Sequence, residues 1–200
     1  MTRTITLEEH YASRAFLEGP GRGFKAQAES LGFARVLEQL CDLEEGRIAD
    51  MDAAGIDVQV LSLTSPGVEQ LDATEAVALA REENDRIAET VRRHPGRFAG
   101  FAALPTPAPD TAADELERMV REHGFEGALI NGHTRGRYLG MVAGRFHLGL
   151  EIPPRTFHEG QGGVVLFQRN RPHLRSPCLV LCSDNALLPQ NLSSWLASGS

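Results

Sequence analysis

Alternating apolar and polar positions, together with short apolar segments, predict four short β-strands in the first 140 residues of the chain. In the first strand, Ile5 and Leu7 alternate with polar neighbours, as expected for a strand with one buried face. Polar residues or a Ser-Pro-Gly turn follow the first, second and fourth strands, whereas Leu104-Pro105 follows the third. The predicted strands are Thr4–Glu8, Asp57–Leu63, Phe98–Ala103 and Gly127–Asn131.

Apolar residues at helical spacing predict helices between these strands. Asp72 and Glu75 have the spacing of a capping box ahead of the longest helix. Asp110 is expected to cap the last helix, and Gly55 to end the second one. The segment from Ser13 to Lys25 contains the letters GPGRG and is predicted as a loop. The predicted helices cover Ala34–Leu43, Gly46–Ala54, the residues after Asp72 as far as His94, and Ala112–His123.

The order of these elements predicts the fold class. Strands that alternate with helices at spacings of about thirty to fifty residues are typical of βαβ units, which build parallel sheets. In parallel sheets and barrels the chemistry takes place at the carboxyl ends of the strands. Three of the four strand ends here are polar, which makes them candidate sites. The four ends are Glu8–His10, Ser62–Ser65, Leu104–Pro105 and Asn131–His133.

Glu8 and His10 form a Glu-x-His pair at the first of these ends. Because side chains alternate along an extended chain, residues two apart lie on the same side of a strand. A carboxylate and an imidazole that converge there are suitable ligands for a divalent metal such as zinc or manganese. The pair taken alone is also compatible with a solvated, acidic strand end.

Asn131 and His133 follow the fourth strand and could bind polar groups of a substrate, although a glycine-containing turn explains the same spacing. His94 and His123 fall in the last turns of predicted helices, where an imidazole interacts favourably with the helix dipole. We therefore interpret His94 and His123 as helix-terminal residues.

Composition narrows the function classes. The chain has 200 residues, of which 42% are hydrophobic and 24% charged, as in an ordinary globular protein. Its formal net charge of −7 would repel phosphate backbones, so nucleic acid is not an expected partner. No apolar run approaches the length of a membrane span, and no membrane partner is expected. Three cysteines without metal or disulfide spacing, and no secretory leader, favour the cytoplasm.

Four blocks of the sequence resemble a known family in the family's own order. They read ITLEEHY, EGRIADMDAAGIDVQVLSLTSPGVEQ, ALAREENDRIAETVRRHPGRFAGFAALP and GFEGALINGHTRGRYL, and lie between about residues 4 and 139. These blocks are similar to the amidohydrolase-related metal-dependent decarboxylases, especially the γ-resorcylate and 2,3-dihydroxybenzoate decarboxylase group. The resemblance implies an α/β fold, the N-terminal half of a (β/α)8 TIM barrel with about four βα units.

The resemblance also implies a site and a reaction. Glu8 and His10 match the family's first two metal ligands, with zinc or manganese as the ion, and Asn131 matches a residue that lines the substrate pocket. The expected substrate and partner is a hydroxylated aromatic carboxylic acid, and a homo-oligomer is a further expectation. In the family the ion holds the carboxylate and the adjacent phenolic oxygen while an aspartate protonates the ring carbon. A related hydrolase or hydratase and a non-catalytic remnant are the alternatives.

The pattern changes near Leu139. The first 140 residues have a net charge of −9 and twenty alanines, whereas the last sixty have a net charge of +2 and three alanines. We therefore divide the chain into a partial barrel domain, 1–139, and a divergent tail, 140–200. The family's remaining ligands, its catalytic His and its catalytic Asp have no match in this tail, although it contains His147, His158, His173 and Asp184.

Two origins of the tail are open. A changed reading frame or truncation is favoured, and would leave the fourth strand with an unpaired edge. The second possible origin is a genuine alternative C-terminus, since Val164–Phe167 and Cys178–Cys182 are apolar enough for strands.

Overall fold

Four parallel strands form the centre of the molecule. The structure is a computed structural model that describes residues 3–125, 127–131, 133–138, 150–151, 164–169 and 178–183. Its strands are β1 (Ile5–Tyr11), β2 (Val58–Leu63), β3 (Phe98–Ala103), β4 (Gly127–Asn131), β5 (His133–Thr134), β6 (Arg137–Tyr138), β7 (Leu150–Glu151), β8 (Val164–Arg169) and β9 (Cys178–Ser183). The strands β1 to β4 are neighbours in chain order and parallel, which confirms the predicted sheet.

Helices alternate with the first four strands. They are α1 (Arg14–Glu18), α2 (Arg22–Ser30), α3 (Ala34–Cys41), α4 (Glu45–Ala54), α5 (Ala73–Arg93) and α6 (Pro109–His123). The last four confirm the predicted helices to within a few residues, whereas the predicted loop over Ser13–Lys25 is wrong. Ser13 caps α1 by accepting a 2.9 Å hydrogen bond from the Phe16 N–H, and Phe16 is buried. The glycines of GPGRG fall at the junction of α1 with α2 and in the first turn of α2, so they interrupt the helices without abolishing them.

Helix boundaries test the predicted caps. Asp72 accepts a 2.9 Å hydrogen bond from the Glu75 N–H at the start of α5, which confirms the predicted cap. Asp110 does not cap α6, because that helix begins one residue earlier, at Pro109, with no side-chain cap. Proline is well tolerated in the first turn, where its missing N–H needs no partner. Gly55 ends α4 in the left-handed conformation, at φ 70°, as predicted.

The sheet continues beyond the fourth strand. Its order is β1-β2-β3-β4-β9-β8-β7, with β9 parallel to β4 and with β8 antiparallel to β9. The expected unpaired edge on β4 is therefore wrong, because the apolar segment Cys178–Ser183 supplies the missing backbone partners. This pairing places both predicted tail strands, over Val164–Phe167 and Cys178–Cys182, in the sheet.

Apolar side chains pack on both faces of the sheet. The larger cluster lies between the sheet and the helices and includes the buried residues Leu61, Ile87 and Met119. A smaller cluster of Val60, Phe101 and Leu129, with Ile5, Leu7 and Ala99 against it, lies on the other face. We call this second face the inner face, because in a (β/α)8 barrel it lines the interior.

Close packing explains the small residues of β3. A Cβ on Gly100 would lie 2.7 Å from the Phe125 ring and 3.0 Å from Ile87, so α5 could not approach the strand over a larger side chain. Asn84 of α5 also donates to the Ala103 carbonyl at 3.0 Å and accepts from its N–H at 2.8 Å. Both contacts fix α5 against β3. Among the described residues, no helix has the length and apolarity needed to cross a bilayer.

Candidate functional site

A β-bulge in β1 turns His10 toward the inner face. Thr6 lies opposite Gln59 and Glu9 opposite Leu61, so β1 has one extra residue between these pairs. Leu7, which lies within the shifted segment, packs on the inner cluster. His10, three residues later, would face the opposite side of a regular strand, yet it contacts the inner face as well. The bulge therefore brings an apolar residue and an imidazole to the same face.

His10 lies beside the end of β2. Its Nδ1 is 3.1 Å from the Ser62 hydroxyl oxygen, and Ser62 is two residues beyond the inner-face residue Val60. The next residue, Tyr11, lies on the opposite face, where its hydroxyl donates a 3.1 Å hydrogen bond to the Glu83 carbonyl of α5. Burial raises the pKa of the Tyr11 hydroxyl well above its usual value, with the nearby Glu83 charge acting in the same direction. Tyr11 is thus a protonated structural residue.

Arg47 of α4 holds the backbone around the bulge. Its guanidinium donates to the carbonyls of His10 at 3.0 Å, Asp42 at 2.7 Å and Gln39 at 3.2 Å, and to the Gln59 side chain at 3.2 Å. Burial lowers the pKa of this guanidinium, while Glu9 and other carboxylates oppose that effect. The arginine therefore connects β1, β2 and the loop before α4 through one planar group.

Glu69 and Asn131 form a second cluster at the carboxyl ends. Glu69 belongs to the loop after β2, is 1% exposed, and accepts a 2.7 Å hydrogen bond from the Asn131 N–H at the end of β4. Burial raises the pKa of Glu69 to about 7, and hydrogen bonds from Asn131 only partly offset this. Among the described residues, Glu69 Oε2 makes no hydrogen bond of normal geometry.

Gly67 makes this contact possible. It adopts φ +64°, a left-handed conformation that favours glycine, and its N–H donates to the Thr64 carbonyl at 3.0 Å. A Cβ at Gly67 would overlap both Glu69 Oε2 and Asn131 Nδ2. The close approach of these two side chains therefore requires a residue without a side chain at this position.

The histidines at helix ends, His94 and His123, lie away from His10 and from the Glu69–Asn131 cluster. His94 follows α5 and precedes the amino end of β3, where its Nε2 is 3.1 Å from Glu44 and its ring contacts Phe98 edge-on. His123 is the last residue of α6, and its Nε2 lies 3.4 Å from Arg118 Nη1. Both positions agree with the interpretation as helix-terminal residues.

Several candidate residues fall outside what the structure describes. Glu8 lies in β1 at the bulge and His133 in β5, but only their backbones are described. The tail residues His147, His158, His173 and Asp184 lie outside the described residues. Within the described part of the chain, no group of three or more His, Cys, Asp or Glu side chains is arranged to hold a metal ion.

Sequence reasoning missed Glu69 and Arg47. Glu69 follows the Ser-Pro-Gly turn among apolar neighbours, and a carboxylate in such a position after a strand end is the only local signal of its burial. Nothing in the sequence indicates that Arg47 binds the backbone of β1, because arginine is common on exposed helix faces.

Comparison with known proteins defines the class of protein. The sequence profile of the family described as Amidohydrolase matches residues 15–141. The chain belongs to this amidohydrolase family, and its parallel sheet with outer helices is the N-terminal half of the family's (β/α)8 barrel.

Several similar proteins are named as decarboxylases. The γ-resorcylate decarboxylase of Polaromonas sp. is 42% identical over 136 residues, which are 68% of this chain and 40% of that protein. The 5-carboxyvanillate decarboxylase of Novosphingobium aromaticivorans, solved with manganese and 4-hydroxy-3-methoxy-5-nitrobenzoic acid, is 42% identical with a TM-score of 0.65, over 68% of this chain and 44% of that one. A Polaromonas dihydroxybenzoic acid decarboxylase, solved with manganese and 2-nitroresorcinol, is 41% identical with a TM-score of 0.59. The match covers 66% of this chain and 39% of that one. The chain thus spans about 40% of the length of the curated relatives it matches.

Proposed function

We propose that this chain provides the first half of a metal-dependent, non-oxidative decarboxylase site for hydroxylated aromatic acids. The observation that carries the proposal is the position of His10, which the bulge turns to the inner face at the carboxyl ends of the strands. The family resemblance matches this residue to a metal ligand. The names of the similar enzymes and the aromatic ligands in their structures support the substrate class.

Glu8 and His10 are the residues that would hold the ion. A carboxylate and an imidazole suit zinc or manganese. The Ser62 hydroxyl is compatible with His10 as a metal ligand, because it can accept a hydrogen bond from the other ring nitrogen. When Nδ1 carries the proton and donates a hydrogen bond to the Ser62 hydroxyl oxygen, Nε2 is the nitrogen without a proton, as a metal ligand requires. Such an ion supplies Lewis acidity toward the carboxylate and the phenolic oxygen of an aromatic acid. Manganese in the similar structures supports this choice of cofactor.

The chain's own residues would bind and orient the acid. Asn131 stands at the end of β4 with its backbone held by Glu69, so its side-chain amide can present a hydrogen bond to a carboxylate or a phenolic oxygen. The acid that protonates the ring carbon is not assigned to any residue of the described ranges. The site is therefore proposed as a binding half without its complete catalytic set.

Binding and turnover give separate tests. Paramagnetic manganese is titrated into the chain while the histidine ring signals are followed by NMR. We expect His10 to broaden first, and His123, an exposed histidine on α6, to serve as the internal control. With manganese present, 2,6-dihydroxybenzoate should bind the unmodified chain and the His123→Ala variant, and should fail to bind His10→Ala.

The same samples test the reaction. The isolated chain should release no carbon dioxide from 2,6- or 2,3-dihydroxybenzoate above a Glu8→Ala control, because the described residues contain no complete ligand set. Turnover above that control would show that the chain holds the whole site. Equal ligand binding by His10→Ala would overturn the proposed function.

A further inference from the structure

Glu69 connects two strands that are not neighbours in the sheet. It lies in the loop after β2, whereas Asn131 ends β4, and β3 separates these strands. The 2.7 Å hydrogen bond from the Asn131 N–H to Glu69 Oε1 therefore crosses the carboxyl end of the intervening strand. Glu69 is 1% exposed and Asn131 is half-buried, so the carboxyl side of this contact is shielded from water.

The surroundings of Glu69 contain neutral hydrogen-bond donors. The backbone N–H groups of Val68, Glu69 and Asn131 lower the pKa of its carboxyl group, and the Asn131 side-chain amide acts in the same direction. Burial is the largest cause of the raised pKa of Glu69, and these neutral donors are the causes that oppose it. Gly67 leaves Oε2 and the Asn131 amide in the same small space. A charge that appears on Glu69 would thus be felt first by Asn131 and by whatever Asn131 binds.

We propose that Glu69 is a positioning residue that fixes the Asn131 amide, and that its proton must be present for an aromatic carboxylate to bind beside it. This inference rests on the proposed function, because it assigns Asn131 the substrate contact. A neutral carboxyl group tolerates an anionic ligand nearby, whereas a buried carboxylate repels it strongly, since little water screens the two charges.

The expected pH dependence follows from the raised pKa. With Glu69 titrating near 7, the protonated fraction falls between pH 6 and pH 8, and the affinity for 2,6-dihydroxybenzoate should fall by about tenfold. Protonation of His10 at lower pH would weaken metal binding and act in the opposite direction. The variant Glu69→Gln separates the two effects, because it keeps an acceptor at Oε1 and is neutral at every pH.

Two measurements test this role. In the ligand-free chain, the NMR signals of the Asn131 side-chain amide should shift with a midpoint near pH 7 and should stay constant in Glu69→Gln. With manganese, Glu69→Gln should bind the acid at pH 6 as well as the unmodified chain and should lose the tenfold fall at pH 8. Glu82→Gln, which removes an exposed charge on α5, should behave as the unmodified chain.

The outcomes distinguish this role from the proposed function. If no variant binds the acid while the Asn131 amide still titrates with Glu69, the proposed function fails and the coupling of Glu69 to Asn131 stands. An Asn131 amide that does not titrate, or a Glu69→Gln variant that keeps the fall in affinity, would overturn the positioning role.

Discussion

The guanidinium of Arg47 donates a 3.0 Å hydrogen bond to the carbonyl of His10. This bond lies just after the β-bulge, where pairing between β1 and β2 shifts by one residue. Bulges leave backbone groups without their regular ladder partners, and a planar group with several donors can replace those partners. Arg47 therefore stabilises the irregular backbone that turns His10 toward the inner face.

Removing this group should destabilise the chain. Arg47→Met keeps much of the side-chain volume but leaves partly buried carbonyls without their charged donor, so the free energy of unfolding should fall by about 2 kcal/mol. The free energy of unfolding of Arg47→Lys should lie between those of the unmodified chain and of Arg47→Met, because an ammonium keeps the charge and lacks the planar fork. Urea unfolding measures both changes.

Arg92→Met on the exposed face of α5 is the control, with an expected change below about 0.5 kcal/mol. A change for Arg47→Met as small as that of this control would show that the bulge does not depend on Arg47.

The sequence was sufficient for features that depend on near neighbours. The strand over Val58–Leu63 follows from alternation, and the strand over Phe98–Ala103 from a short apolar segment after the Pro-Gly helix stop. The Asp72 cap follows from a spacing of three residues. The bulge before His10 could not be predicted in this way, because it is defined by the register against β2. The shift lies beside Glu8 and Glu9, which are both polar, so the alternation of apolar residues does not reveal it.

The second cluster shows the same limit. Asn131 was predicted as a substrate contact from its place after a strand, but Glu69 becomes buried only when the loop after β2 meets β4, 62 residues further along the chain. The pairing of β9 with β4 was missed for the same reason, since apolar segments predict strands without naming their neighbours.

Glu69 should make stability depend on pH. Its pKa is about 7 in the folded chain and about 4.5 when exposed, so the folded state binds the extra proton between these values. Stability should therefore fall as pH rises from about 4.5 to about 7, and stay lower above this range. The shift corresponds to about 3 kcal/mol.

Comparison of urea unfolding at pH 5 and pH 8 isolates this contribution. The unmodified chain should lose about 3 kcal/mol relative to Glu69→Gln over that interval, although other groups titrate in both proteins. Parallel pH profiles for the two proteins would show that Glu69 titrates normally in the folded state.

The two aspartates at helix starts predict a contrast. Asp72→Ala should reduce the free energy of unfolding by about 1 kcal/mol, because it removes the acceptor for the Glu75 N–H. Asp110→Ala should cost only a few tenths of a kcal/mol, since this residue lies inside the first turn of α6 and contributes only through the helix dipole. Thermal unfolding of the two variants measures the difference, and equal losses would place a cap at Asp110 after all.

Metal affinity gives the last prediction. Catalytic zinc normally has three protein ligands and one open position, whereas Glu8 and His10 are the ligand candidates that the resemblance matches. Two ligands leave at least two positions to water, so an ion held by them should dissociate readily. Zinc added to the purified chain and then removed by dialysis should leave well under one equivalent bound, and His10→Ala should change that residual amount little. A full equivalent that survives dialysis, and that is lost in His10→Ala as well as in His158→Ala or Asp184→Ala, would mean that the tail completes the metal site.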